Sequence, residues 1–217
     1  MQERAPGVVE MDDALYTENL VPGEQVYGEE LVERDGVEYR RWSPHRSKAA
    51  AALTKDIAAF PVARDSEVLY LGASTGTTVS HVSDIVSSGF VHAVEYAPSI
   101  ARQLRAVAAQ RENIAPIVGD ARTPDDYAAL CSQVDVIYQD VAQPDQVRIL
   151  RENADMFLRD GGHAMLAIKA RSIATGRPPE QVFAEAKEAL RQEFDIVAGT
   201  RLEPFHDDHL FLVLQNR

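Results

Sequence analysis

The stretch Glu67-Val-Leu-Tyr-Leu-Gly-Ala-Ser-Thr-Gly-Thr-Thr78 joins a short β-rich run to a Gly-x-x-x-Gly turn and the start of a helix. Without side chains at Gly72 and Gly76, backbone N–H groups can pass close to a ligand. The next apolar run, Val91-His-Ala-Val-Glu95, closes on an acid. A carboxylate there can accept both hydroxyls of a ribose, so the pair of segments reads as a nucleoside-cofactor site.

What the loop lacks narrows the cofactor. A dinucleotide fold sets its second glycine where this chain has Ser74, and a P-loop needs a lysine where Gly76 is followed by Thr77 and Thr78. S-adenosyl-L-methionine carries no phosphate and needs only a turn that admits its amino-acid end. A nicotinamide or flavin, and a turn with no ligand at all, are the competing readings of this motif.

Working outward, strands are expected near 67–71, 91–95, 115–118, 134–139 and 163–169, alternating with helices near 77–87, 98–111, 124–131, 145–158 and 179–192. The last two apolar runs, about 194–201 and 208–215, have only Glu203-Pro-Phe-His-Asp-Asp208 between them and should pair antiparallel. The expected fold is α/β, a seven-stranded, mostly parallel sheet whose last strand is antiparallel. Residues 1–45 read as a small N-terminal β domain. Val21-Pro-Gly-Glu24 is a turn there, and Leu31 to Arg40 alternates around Asp35-Gly36 as a two-residue hairpin does. Such a piece is too small to fold alone and should pack on residues 46–217. Pro44 ends it, and Ser47 is placed to cap the next helix.

Hydrophobic residues make up 45% of the 217, enough for the core of one α/β domain with an appendage. No run of about 18 apolar residues and no basic leader followed by an apolar stretch occurs, so a cytoplasmic protein without a membrane span is expected. Cys131, in Tyr127-Ala-Ala-Leu-Cys131, has no basic neighbour in sequence and reads as a small buried residue, not a nucleophile. One cysteine and scattered histidines assemble no zinc site. The net charge of −12, with Lys48, Lys55, Lys169 and Lys187 the only lysines, resembles the surface of a halophilic protein. It predicts weak unaided affinity for nucleic acid while leaving room for a local cationic site.

In an open parallel sheet, ligands bind beyond the carboxyl ends of the strands. The sequence places Gly72-Ala73, Glu95-Tyr96, Gly119-Asp120-Ala121, Asp140-Val-Ala-Gln143 and Lys169-Ala-Arg171 there. Asp120 is suited to accept the exocyclic amine of adenine, with Tyr96 or Ala121 against the ring; the competing reading is a turn and helix cap. Asp140 and Lys169 end neighbouring apolar strands and are expected to form a partly buried pair. Where arginine has replaced lysine nearly everywhere, a retained lysine points to an amine that must lose a proton; a structural ion pair is the competing reading.

These segments, with Tyr39-Arg-Arg-Trp-Ser-Pro-His-Arg-Ser-Lys48, Asp135-Val-Ile-Tyr-Gln-Asp-Val-Ala-Gln-Pro144, Ala167-Ile-Lys-Ala-Arg-Ser172 and Leu202-Glu-Pro-Phe-His-Asp-Asp-His209, resemble the fibrillarin family in its archaeal form. The resemblance runs in family order over nearly the whole chain. It implies a Rossmann-like methyltransferase fold behind a small β domain. The implied activity is methyl transfer from S-adenosyl-L-methionine to ribose 2′-hydroxyls of rRNA and tRNA precursors. It also implies a C/D-box guide RNA, a target RNA, a Nop-type scaffold protein and a kink-turn-binding, ribosomal-protein-like subunit as partners.

Carried over residue by residue, cofactor contacts fall on Gly72, Thr77, Thr78, Glu95, Tyr96, Asp120, Ala121, Asp140, Val141, Ala142 and Gln143. The family's Lys-Asp-Lys-His set falls on Lys48, Asp140, Lys169 and His209, with Glu203 or His206 as alternatives for the last place. No metal is implied. Two departures stand out: relatives are basic where this chain is acidic, and a Gly/Arg-rich N-terminal tail is absent. A hydroxyl nucleophile needs its proton removed as the carbon–oxygen bond forms, and Lys169 is the candidate base, with Asp140 the other. The rival functions are a methyltransferase for a small molecule or protein, and a non-catalytic subunit of a ribonucleoprotein.

Overall fold

The computed structural model covers residues 1–217. Five short strands, β1 (Gln2–Ala5), β2 (Val8–Met11), β3 (Ala14–Glu18), β4 (Leu31–Arg34) and β5 (Val37–Trp42), form an antiparallel sheet in the order β1-β2-β3-β5-β4. Turn chemistry builds it. Asp12 and Asp13, and again Asp35 and Gly36, hold positive φ (50°, 60°, 52° and 79°), the backbone that lets a two-residue turn follow the strands' twist. The Asp35-Gly36 hairpin read from the sequence is present, with Val32 opposite Tyr39. The N–H of Glu24 donates to the Val21 carbonyl at 3.1 Å, closing the other expected turn.

Ser47 caps α1 (Lys48–Thr54), its hydroxyl accepting from the Ala50 N–H at 3.4 Å. Then follow β6 (Glu67–Leu71), α2 (Thr77–Ile85), β7 (Phe90–Glu95), α3 (Pro98–Ala108), β8 (Ile114–Val118) and β9 (Val134–Gln139). The chain continues through α4 (Gln146–Phe157), β10 (Leu158–Lys169), α5 (Ala170–Ile173), α6 (Pro179–Leu190), β11 (Phe194–Arg201) and β12 (His209–Asn216). The helix expected near 124–131 is a 3-10 helix, Pro124–Leu130, and α5 was not anticipated.

The larger sheet has the order β11-β12-β10-β9-β6-β7-β8, parallel from β10 to β8, with β12 antiparallel to both its neighbours. Although last in the chain, β12 sits inside the sheet while β11 takes the edge. Composition explains the choice. His209 to Leu214 are buried without interruption, as an inner strand requires, whereas β11 carries Asp195, Thr200 and Arg201 outward.

Side-chain alternation divides the core in two. Along β6, Val68 and Tyr70 join a cluster with the N-terminal sheet, α1, α2 and α3, while Leu69 and Leu71 join one with α4 and α6. Val8, Leu15 and Trp42 of the N-terminal sheet pack with Val79, Val82 and Ile85 of α2, so the small sheet lacks a core of its own. Buried charge reinforces that contact. Arg40, fully buried, donates to Glu29 at 2.7 Å, Asp84 at 2.8 Å and Ser80 at 3.0 Å. No helix is long and apolar enough to cross a membrane.

Candidate active site

Alternation continues past the strand ends and sorts the site residues. Val136 and Tyr138 of β9, Met165 and Ala167 of β10, and Phe211 and Val213 of β12 all belong to the core that α1 covers. Asp140, Lys169 and His209 continue those three series and emerge on the same face. Onto that face α1 delivers Lys48 as its first residue, and Lys48 Nζ donates to Asp140 Oδ2 at 2.8 Å. Lys169 lies opposite His209 in the antiparallel register of β10 and β12. The Lys-Asp-Lys-His set is therefore gathered on one side of the strand ends.

The expected pairing of Asp140 with Lys169 is not what forms. Asp140 pairs with Lys48, and Lys169 has no carboxylate partner. The register supplies the reason. Leu166 lies beside Gln139, so Asp140 is level with Ala167 and Lys169 projects two residues farther along, on the order of 6 Å.

His209 is 8% exposed, and its Nδ1 lies 2.6 Å from the Asp207 carbonyl. Burial, and secondarily the charge of Lys48, holds its pKa below the ordinary histidine value. The other candidates for the fourth place are occupied elsewhere. His206 Nε2 donates to the Pro44 carbonyl at 2.9 Å, and its ring stands 5.7 Å from that of His209. Glu203 accepts from Arg201 at 2.6 Å and from the Asp208 N–H at 3.1 Å.

A cavity of about 260 Å³ lies on the opposite side of the same strand ends, against Val94, Ala121 and Ile149 of the other core cluster. Gly72, Glu95, Tyr96, Asp120 and the Asp140–Gln143 segment also line it. Gly72 has φ of 85°, and a Cβ there would lie 2.4 Å from the Asp140 carbonyl oxygen, so β6 and β9 can close together only over a glycine. Glu95 accepts from the Ser74 and Ala97 N–H groups, each at 2.8 Å, which fixes its carboxylate at the lip. Asp120 is gripped by Arg122, whose side chain holds the carboxyl below its usual range and lies over the Tyr96 ring at 6.0 Å.

Thr77 and Thr78 do not line this cavity. The Thr78 hydroxyl is turned to Ser47, donating to its Oγ at 3.1 Å, because α2 packs its first turn against the start of α1. Two residues escaped the sequence reading. Gln146, fully buried, donates to the Val141 carbonyl at 2.8 Å and accepts from the Lys169 N–H at 3.4 Å, tying the cavity loop to the lysine. Gln139, also buried, donates to the Gln146 carbonyl at 2.8 Å. An amide closing β9 after the buried run Val136–Tyr138 was the available signal for Gln139. Cys131 is half-buried, and burial pushes its thiol pKa up to about 12, which leaves it without nucleophilic thiolate.

The lining decides which cofactor charge fits. Glu95, Asp120 and Asp140 supply three carboxylates, and the one cation, Arg122, is already spent on Asp120. A pyrophosphate would meet like charge there, whereas a cationic nucleoside would be stabilised. Of the four gathered residues only Asp140 also borders this cavity, so it stands at the boundary between the two faces.

Comparison with known proteins agrees in fold and in sequence. The chain is 45% identical over 220 residues to the fibrillarin-like rRNA/tRNA 2′-O-methyltransferase of Pyrococcus furiosus, covering 99% of this chain and 97% of that protein. It superposes on Aeropyrum pernix fibrillarin, solved with natively bound S-adenosyl-L-methionine, with a TM-score of 0.88 at 45% identity, over 95% of this chain and 92% of that one. It superposes on a chain of a fibrillarin/Nop5p complex with a TM-score of 0.91 at 40% identity, over 98% of each. The fibrillarin family model matches residues 2–217, and the chain belongs to that family.

Proposed function

We propose that this chain is the catalytic subunit of a C/D-box guide ribonucleoprotein and methylates ribose 2′-hydroxyls of rRNA and tRNA precursors, using S-adenosyl-L-methionine. One observation carries the reading: the 2.8 Å Lys48–Asp140 contact joins a carboxylate-lined nucleoside cavity to a face bearing Lys169 and His209. When bound, the cofactor supplies a methyl group activated by its positively charged sulfur. Glu95 holds its ribose hydroxyls, and Asp120, once Arg122 gives way, its adenine amine, with Ala121 and Tyr96 beside the ring. Gly72 and the Asp140–Gln143 segment close around its amino-acid end.

The acceptor lies on the α1 face. Lys169 takes the hydroxyl proton as the carbon–oxygen bond forms, a role supported by an amine that no carboxylate engages. Asp140, oriented by Lys48, keeps the electrostatics of the boundary between donor and acceptor in place. His209, neutral because of burial, accepts a hydrogen bond from the ribose or the adjoining sugar. Residues 1–45 act as a small β domain and 46–217 as the methyltransferase domain; the separate N-terminal sheet supports that division.

The partners are the guide and target RNAs, a Nop-type scaffold and a kink-turn-binding subunit, in a halophilic cytoplasm. A chain of net charge −12 needs those partners to hold RNA. The test is tritiated methyl transfer to a guide-matched RNA by the chain alone and in the assembled particle, with small acceptors alongside. Transfer only in the assembly, to the guide-selected ribose, is expected; efficient transfer to a small molecule or by the chain alone would refute the reading.

A further inference from the structure

Most arginines in this acidic chain are neutralised by a carboxylate, but Arg46 is not. It is exposed, its guanidinium carbon stands 5.4 Å over the Tyr27 ring, and it lies two residues before Lys48. Arg46 and Tyr27 form one end of a cleft of about 460 Å³ between the 24–27 loop of the N-terminal sheet and α3. Thr75 of the glycine turn joins the cleft to the strand ends, and Gln103 of α3 and Gln110 of the turn after it line its other side. Arg111 lines it as well, almost fully buried, and its Nη2 has no hydrogen-bond partner. Because Asp84 answers the charge of Arg111, Arg46 is the free guanidinium of the lining, which holds one carboxylate, Glu24. Arg46 is thus an unpaired guanidinium at the end of a cleft lined by the side-chain amides of Gln25, Gln103 and Gln110.

We infer that this cleft binds the phosphodiester backbone of the RNA strand that carries the target ribose, with Arg46 as its anchoring cation. The inference rests on the RNA reading above and adds the path of the strand. Lys48, Lys169 and His209 emerge on the face covered by α1, and α1, α2 and α3 share that face, so a strand offering its ribose to Lys169 leaves past α1. Arg46 is the unpaired cation next along that path, and the cleft floor beyond it offers side-chain amides suited to phosphate and ribose oxygens. Stacking on Tyr27 holds the guanidinium ready, lowering the ordering cost of a phosphate contact.

The test uses the assembled particle. Arg46→Ala should raise KM for target RNA by about tenfold with kcat changed less than about twofold, and should reduce the slope of log affinity against log salt by about 0.7–1, as loss of one phosphate contact does. Arg46→Lys should restore most of the loss. On targets carrying a single neutral methylphosphonate near the modified nucleotide, one position should cost the wild type the same amount and cost Arg46→Ala nothing more. Additive losses at every position, or wild-type KM in Arg46→Ala, would overturn the site. Photocrosslinking of 4-thiouridine placed beside the target nucleotide should reach residues 24–27 or 103–110. RNA crosslinks that avoid those residues, or a scaffold protein crosslinked there instead, would also overturn it. Crosslinking needs no turnover, so failure of the cleft is distinguishable from failure of the methyl-transfer reading, which a wild-type particle inactive on RNA would reveal.

Discussion

Beneath the N-terminal sheet, Asp84 and Glu29 are buried and fully engaged; at the strand ends, Glu95, Asp120 and Asp140 border a cavity. Asp84 alone accepts from Arg40 at 2.8 Å, Arg111 at 2.6 Å, Thr17 at 2.8 Å and the Leu20 N–H at 3.1 Å. His81 completes that region, with Nδ1 2.8 Å from the Thr17 hydroxyl and Nε2 2.7 Å from the Tyr27 hydroxyl, stacked on Trp42. Burial, helped by Arg40 and Arg111, pushes its pKa well below the ordinary value. Asp140, by contrast, has one ammonium partner and stays partly open. Water explains the divergence. A carboxylate cut off from solvent must be satisfied by protein groups, whereas one at a cavity lip keeps lone pairs for a ligand.

Substitutions in the two regions should therefore affect different measurements. Arg40→Ala removes the only guanidinium on buried Glu29 and one of the two on Asp84, and should cost about 3–5 kcal/mol of stability by denaturant unfolding, with cofactor affinity of the folded protein nearly unchanged. A loss below about 1 kcal/mol would show that the buried network is dispensable. Lys169→Arg keeps the charge but removes the accessible neutral form, so single-turnover methylation should fall on the order of 10²-fold or more while cofactor affinity holds. Turnover close to wild type would make Lys169 a strut and move the base to Asp140 or His209.

Glu95→Ala should weaken S-adenosyl-L-methionine binding by about 2–3 kcal/mol in calorimetry, the scale of charge-assisted hydrogen bonds. Its effect on unfolding should stay within about 1 kcal/mol; a larger one would mean the bonds to the Ser74 and Ala97 N–H groups serve the fold more than the ligand. The last effect, that of pH, is small for each histidine taken singly. His81, His206 and His209 all titrate below 6.5 in the folded protein, so the unfolded chain takes up their protons first on acidification. Stability should be constant above about pH 7 and fall as pH drops below 6.5, by at most about 1.4 kcal/mol per pH unit for each histidine. A flat profile between pH 6.5 and 5 would mean that these histidines are protonated in the fold.

Much of this was legible in the chain. The glycine turn, the apolar runs and the Asp35-Gly36 hairpin state their structures locally, since each depends on residues within one or two turns of backbone. Most residues that border the cavity were legible too, because period-two alternation places strand-end residues without reference to packing. Where the Thr78 hydroxyl points was not legible, since which side of a helix start faces a ligand depends on what packs behind it, here the start of α1. The Asp140 partner was also misassigned: strand adjacency was read correctly, but register and the reach of a separate helix settled the pair.

The sequence by itself determined the element order and the antiparallel pairing of the last two strands, because these follow from local patterning; Asp140 and Lys169 stood out as strand-end charges, whereas Lys48 and His209 came only from the resemblance to the fibrillarin family. Only the tertiary structure decided that β12 lies inside the sheet, that Lys48 takes Asp140 and leaves Lys169 unpaired, and that Arg40 and Arg111 share Asp84. Each of those is a competition among several groups for one place or one carboxylate, and distances across the assembled core set the winner.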